Sequence, residues 1–578
     1  MITTEAVETD LRARIAAERE RELHLPADGV YQRIAAGDIL RATGKLLFHT
    51  PPTQFPAQLK SILDTIVELY PGADDVLRRH MLEFLVKLAV DLRSFLPNWH
   101  LASELSPGAI VEAADRVLKL LSQLEHWDGP ARDGLLDALR QETRARLKAE
   151  GVSDAGELEE LTRRLVGDSL SHYVIMIGEE INRSNLIEVA RARFRGETIT
   201  QLGNDYAAFL QYAVWLGASF VTTNPVLVKI AWDTNPDLWN RRVDELILTR
   251  YTPARLRELL AGPADELERA VTGLNSLVTM AVVEENCRLL RDIFLVTEGR
   301  EGYVSLQVNP KNHRDAEVMI QEALELYAGL QERLGGVPNV VFKLPATAAG
   351  KVAAEELTSR GIGVNITVNF SVFQEVGFGE VLRRGHALVA YLALMNGRMA
   401  TPVRDEMKEK GVPGGVEAAR WAGVEVARKA FHRLYDPPSA GGLGIDVERV
   451  KLLIASLRIY EDWFPDISEL WGCPVMTIFP NVRRAYDAHP RPFDGQAVLG
   501  ETPADVLETL LQSEIFRQAW WMPGDAEEHR PARVLTLEPA DAEALAQWPP
   551  MAQTLGQFIQ LYDQMGEMVL GRMRRLAA

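Results

Sequence analysis

Beyond Gly196 the chain carries seven short runs of β-branched and apolar residues, each separated from the next by a longer helical pattern. The runs are TITQL, ASFVTTN, YVSLQVN, NVVFKLPA, VNITVNF, LVAYLALM and PVMTIF. Strands that alternate with helices cannot pair through tight hairpins; they run parallel, each joined to the next by a crossover helix. For this many units a closed barrel is the economical solution, because closure leaves no unpaired edge. The fold class predicted is therefore α/β, a (β/α)8 TIM barrel. The eighth strand is expected in DGQAVL or RVLTLE, and the pattern does not choose between them. Two glycine-rich loops between the sixth and seventh runs, GVPGG and PPSAGGLGID, lack dinucleotide or Walker spacing and read as helix ends and turns.

Up to about Arg195 the texture is different. DVLRRHMLEFLVKLAVDLRSFL and GAIVEAADRVLKLLSQLEHW repeat apolar residues at steps of three and four, with breaks at FHTPPTQFP, LPNWH and WDGPARDG. This predicts an all-helical N-terminal region, residues 1–195, that packs as a bundle and carries no chemical motif. The barrel is expected over 196–578, with a helical insertion near 437–470 and a C-terminal amphipathic helix with a basic end from Met551 onward.

Composition excludes several classes. At 47% hydrophobic and 25% charged, the 578 residues suit a soluble globular protein. A net charge of -18 argues against broad binding to nucleic acid. No apolar run reaches the ~18 residues that a membrane span needs, and the N-terminus lacks the apolar core of a secretory signal. Cys287 and Cys473 sit in no metal or redox spacing, so they are expected to be buried thiols in a reducing cytoplasm. A homo-oligomer is left open.

The strand NVVFKLPAT contains the residue that points to chemistry. Barrel strands alternate side chains between the interior and the surrounding helices, and functional groups gather at the strands' C-terminal ends. If Val340, Phe342 and Leu344 face the helices, Val341 and Lys343 face inward. The same parity leaves Ser305, Gln307 and Asn309 inside in YVSLQVN, and Asn365, Thr367 and Asn369 inside in VNITVNF; ASFVTTN ends in Thr222, Thr223 and Asn224. Lys343 is thus ringed by amides and hydroxyls with no carboxylate on these strands. An ordinary lysine, with pKa ~10.4, is the free amine in only roughly 1 molecule in 2,500 at pH 7. Desolvation lowers that pKa, which suits a nucleophile that forms a Schiff base with a carbonyl substrate. The bland alternatives are that Lys343 snorkels out of a strand end or pairs with an acid from a loop.

The strings VTTNP, YVSLQVNP, FKLPAT, GVNITVNFS and MNGR, in this order over roughly Thr198 to Arg484, resemble the transaldolase family. The resemblance implies a (β/α)8 barrel and a Schiff-base lysine on the fourth strand, matched by Lys343. That lysine cleaves a ketose between C3 and C4, keeps a dihydroxyacetone unit as an enamine and passes it to an aldehyde. It further implies that Asn224 holds the bound ketose, that Thr367 helps position a catalytic water, that Asn365 contacts substrate and that Arg398 grips a sugar phosphate. Thr223, Ser305 and Asn369 are expected to add polar contacts to the substrate. The bland readings are an Asn before Pro in a turn for Asn224, a core amide network for Thr367 and Asn365, and a surface ion pair for Arg398. Asp205 is the candidate acid/base carboxylate of the first strand, although Gly203 can be counted into that place and Asp205 can instead be a helix N-cap.

The chain also departs from the family pattern. Gln307 stands where the family has a proton-relaying glutamate, which resembles the fructose-6-phosphate aldolase branch, yet that branch's tyrosine is replaced by Met395. On the seventh strand, taken as MTIFPNVRR, Phe479 and Asn481 occupy the places of a serine and a second phosphate-gripping arginine. The function expected is Schiff-base carbon–carbon bond chemistry on a sugar or sugar phosphate. No metal or organic cofactor is required, because the iminium supplies the electron withdrawal. Alternatives are an aldolase that releases its product without transfer, an enzyme for an unphosphorylated or unusual sugar, and a silent barrel that serves as a scaffold or binding module.

Overall fold

The computed structural model describes residues 4–25, 28–127, 129–208 and 210–578. Eight parallel strands close into a barrel in strict chain order. They are β1 (Gln201–Asn204), β2 (Phe220–Val221), β3 (Tyr303–Gln307), β4 (Val340–Pro345), β5 (Val364–Asn369), β6 (Ala390–Leu394), β7 (Val450–Ile454) and β8 (Val475–Ile478). This is the (β/α)8 TIM barrel that the alternating runs predict.

The eighth strand is in neither expected place. DGQAVL holds a 3-10 turn, Ala497–Leu499, and RVLTLE is irregular. The additional strand is β7, in the segment near 437–470 that the sequence suggests is a helical insertion; that segment's α-helix is only Pro465–Ser468. The reason is a coincidence of spacing. Val447, Val450, Ile454 and Leu457 recur at steps of three and four and imitate a helical stripe. In the fold, Val450, Leu452 and Ile454 instead join the outer core while Lys451 and Leu453 point inward. The PVMTIF run is β8, which closes the barrel on β1 from Gln201↔Val475 to Asn204↔Ile478.

Parity holds around the barrel. Val340, Phe342, Leu344, Val364 and Ile366 pack against the helical layer, whereas Phe220, Tyr303, Val341, Tyr391, Leu453 and Val475 form a separate interior cluster. Phe220 stacks on Tyr391 with ring centroids 4.2 Å apart. The first helix, Thr4–Leu23, contributes Leu11 and Ile15 to this cluster and so covers the N-terminal end of the barrel. The barrel's filling leaves the opposite, C-terminal mouth for chemistry.

The described residues from Thr4 to Phe194 form helices and no strand. Asp74 and Ser106 cap the two long helices expected there, Asp75–Arg93 and Pro107–Glu125, accepting from the Leu77 and Ala109 backbone N–H groups. The helical region is fastened beside β8: Ser184 Oγ donates to Asp487 at 2.7 Å, and Arg483 pairs with the buried Glu150. The final helix, Pro549–Ala577, buries Met551, Leu555, Phe558, Tyr562, Met565, Val569 and Met573 along one face. Cys287 and Cys473 are buried free thiols. No helix among the described residues is long and apolar enough to cross a membrane.

Close packing in the interior is tested at Gly203, where an added Cβ would lie 2.5 Å from Thr477 Cγ2 and 3.2 Å from the Phe220 carbonyl oxygen. Thr477 is β-branched and cannot swing aside freely. Gly203→Ala is expected to lower unfolding stability by about 1–3 kcal/mol, with Thr477→Ser in the same chain recovering most of the loss. Unchanged denaturant midpoints would contradict this packing.

Candidate active site

Lys343 lies in the middle of a polar rung. Gln307, Lys343 and Asn365 are register partners on β3, β4 and β5. The strand is fixed at its start by Asn339, whose Nδ2 donates to the Gly302 and Cys287 carbonyls at 2.7 and 3.0 Å. Lys343 is 4% exposed, and its Nζ donates to the Thr223 carbonyl at 3.3 Å. Burial draws its pKa down to about 8; the Asp205 carboxylate opposes that shift, and the Arg398 charge adds to it. No carboxylate is paired with the amine among the described residues, so neither bland reading of this lysine describes its surroundings.

The amine opens into a cavity of about 330 Å³ at the C-terminal mouth, lined from every strand but β3 by residues that include Asp205, Asn224, Lys343, Thr367, Arg398 and Arg458. Asp205 follows β1, its backbone N–H held by the Ile478 carbonyl at 3.2 Å and its carboxylate accepting from the Thr222 hydroxyl. Gly203 sits deeper, against Thr477 and Phe220. The next helix runs Leu210–Trp215, too far on for Asp205 to cap; residue 209, in the stretch read as that helix's start, lies outside the described residues. Asn224 Oδ1 caps the helix Pro225–Thr234 by accepting from Leu227 N–H at 2.9 Å, and the residue lines the cavity. Thr367 reaches the cavity with its hydroxyl directed at Met395 Sδ, 3.7 Å away.

Gln307 and Asn365 flank Lys343 without bordering the cavity. Gln307 Oε1 and both side-chain polar atoms of Asn365 are buried and have no protein partner among the described residues. Unmet amides are uncommon in a folded interior and call for an explanation.

Three expected substrate contacts fall elsewhere. Ser305 is inward but one rung below Lys343, paired in register with Val341, and its hydroxyl accepts from Thr223 N–H at 2.9 Å. The Thr223 hydroxyl in turn donates to the Ser305 carbonyl. This pair pins the turn after β2 and aims the Thr223 carbonyl at Lys343. Asn369 is turned away by a β-bulge: Val368 has φ of 54°, and the register with β6 jumps from Ile366↔Leu392 to Asn369↔Leu394. The extra residue reverses parity, so Asn369 Nδ2 donates outward to the buried Glu375 at 2.8 Å.

Two lining residues were hidden by the helix-like spacing over β7. Ser456, with φ of 63°, and Arg458 emerge from this strand beside the cavity. Phe479 and Asn481 follow β8, not the seventh strand, and line the cavity as a separate wall. Arg398 is not in a surface ion pair; its Nη1 donates to Gln557 Oε1 of the final helix at 2.6 Å, and its guanidinium lies over the Phe558 ring at 5.7 Å. Burial and the Arg458 charge lower its pKa to about 10, against the pull of Asp205.

Residues 203–520 match the family described as Transaldolase/Fructose-6-phosphate aldolase. The chain belongs to this transaldolase and aldolase family. A transaldolase of Acidothermus cellulolyticus is 32% identical over 325 residues, covering 50% of this chain and 83% of that protein. A transaldolase of Neisseria meningitidis serogroup C is 27% identical over 311 residues, covering 46% of this chain and 84% of the relative. One from Thiobacillus denitrificans is 31% identical over 229 residues, 37% of this chain and 56% of its own length. Family membership makes this chain an enzyme of the transaldolase and aldolase type.

The buried amine carries a measurable cost. An unfolded lysine titrates at ~10.4, whereas Lys343 titrates at about 8 in the fold. Between these values unfolding takes up a proton, so stability rises with pH through that window, and below pH 8 the penalty is fully present at about 3 kcal/mol. Lys343→Met is therefore expected to be more stable than the parent at pH 7 by up to about 3 kcal/mol, the gap closing near pH 10. A stability difference that does not change with pH would contradict the depressed pKa.

Proposed function

We propose that Lys343 attacks the C2 carbonyl of a ketose phosphate and that the enzyme transfers a dihydroxyacetone unit from it to an aldehyde. The observation that carries this reading is the buried amine, its pKa drawn down to about 8, opening into the cavity with no acid paired to it. Addition of the amine and loss of water give an iminium. Asp205 then takes the proton from the C4 hydroxyl, the C3–C4 bond breaks, the bond electrons move into the iminium to form an enamine, and the shortened aldehyde leaves. The enamine C3 attacks the acceptor aldehyde, Asp205 returns the proton, and water releases the product from Lys343.

The remaining residues have roles in holding the substrate. Asn224 offers its amide to the sugar hydroxyls, Thr367 holds the water used in forming and hydrolysing the imine, and the unmet amides of Gln307 and Asn365 flank the amine from outside the cavity wall. Arg398 and Arg458 are cations at the cavity with no carboxylate paired to them among the described residues, a combination suited to a phosphate. This favours a phosphorylated substrate over a free sugar. Gln307 supports a second reading, release of free dihydroxyacetone without transfer, because an amide cannot relay a proton. In either reading residues 1–195 are a helical region packed onto the barrel of 196–578, and the buried thiols fit a reducing cytoplasm.

Incubation with fructose 6-phosphate followed by borohydride reduction is expected to add mass at Lys343, and Lys343→Met to abolish the adduct. Absence of any adduct in the parent would leave a silent barrel. Asp205→Asn is expected to lower kcat by about 10²–10⁴-fold while still permitting the reduced adduct. Assay of free dihydroxyacetone with and without an acceptor aldehyde separates transfer from simple cleavage.

A further inference from the structure

The two arginines approach the cavity from different loops, Arg398 from the turn after β6 and Arg458 from the turn after β7. Like charges repel, and Arg458 already lowers the pKa of Arg398. Some element has to hold the two loops together without neutralising the guanidiniums. We propose that Asp466 is a positioning residue that ties these loops at a fixed separation, so that Arg398 and Arg458 meet the same substrate phosphate. This inference rests on the reading of the arginines as the phosphate site.

Asp466 is in the short helix Pro465–Ser468 and is 1% exposed. Its Oδ1 accepts from Asn396 Nδ2 at 2.8 Å, and its Oδ2 accepts from the Arg458 backbone N–H at 2.8 Å. Asn396 opens the turn that carries Arg398. One carboxylate thus bridges the two arginine-bearing loops by bonding an amide and a main-chain N–H, leaving both guanidiniums unpaired by it. The loops are in direct contact as well: a Cβ on Gly397 would lie 2.1 Å from the Ser456 carbonyl oxygen and 3.0 Å from Asp466 Oδ2, and Arg458 Nε donates to the Gly397 carbonyl at 3.3 Å. The negative charge is placed behind the loops rather than among the cavity's lining residues. There it attracts the Arg458 charge without occupying the space a phosphate would fill. Burial pushes the Asp466 carboxyl up to about 7, with the Arg458 N–H and charge opposing. Such a desolvated acid is costly, and its bonds to the two loops offset that cost.

The test compares fructose 6-phosphate with fructose on the purified full chain. In Asp466→Asn, one N–H acceptor is replaced by a donor. Its KM for fructose 6-phosphate, and the inhibition constant of inorganic phosphate, are expected to rise about tenfold or more. The kcat and the KM for fructose should stay within about twofold, a split that general loosening of the barrel would not give. If Asp466→Asn does not fold, Asn396→Ala, which removes one of the two tethers, is expected to give the same split. A folded variant that discriminates between the two ketoses as the parent does, or that loses both substrates equally, overturns the proposal. A parent enzyme that treats the two ketoses alike overturns the phosphate assignment itself, and this inference with it.

Discussion

Removal of the Lys343 amine from water is the constraint on which the rest of this site depends. The barrel contains a second interior lysine that shows what the ordinary solution looks like. Lys451, at the opposite end, donates to Gln201 Oε1 at 3.3 Å, lies 3.7 Å from a Glu448 carboxylate oxygen, and is influenced by the buried Glu301. At that end Glu301 is bound by Arg193 and Ser219. Lys343 has the Thr223 carbonyl, the more distant Asp205 and a rung of amides. Burial lowers the pKa of both lysines, but Lys451 has carboxylates beside it that oppose the shift, whereas Lys343 faces the cavity with no carboxylate paired to it.

The placement of the amine follows from barrel geometry. An aromatic and aliphatic layer fills the interior below it and the first helix covers the N-terminal end, so polar side chains above that layer face only the C-terminal mouth. Beneath the cavity, the Thr223–Ser305 pair fixes the carbonyl that contacts the lysine. Around the rim, Asp466 and the final helix restrain the loops that carry the arginines. Rigid strands set the position of the reacting atom, while loops and the final helix set what it can bind.

Much of this was legible in the sequence because alternation along a strand is a direct record of which side faces inward. β3, β4 and β5 showed their inward amides and lysine through the β-branched residues on the other parity. Depth along the barrel is not recorded in that way, so Ser305 could be recognised as inward but not as lying one rung below the lysine. A bulge is equally silent: one extra residue at Val368 reverses Asn369, and nothing in VNITVNF marks it. β7 was concealed because its apolar residues also satisfy helical spacing, and with it Ser456, Arg458 and Asp466 were hidden. Contacts made across loops far apart in the chain leave no local pattern, which is why the Asn396–Asp466 bond becomes visible only in three dimensions.

The central claim is that the Lys343 nitrogen gives up its proton far more readily than a solvent-exposed lysine. The most direct measurement is a pH titration of that nitrogen by lysine-selective 15N NMR, assigned by loss of the signal in Lys343→Met. The account predicts half-protonation near pH 8. A midpoint at the ordinary lysine value of ~10.4 would contradict it.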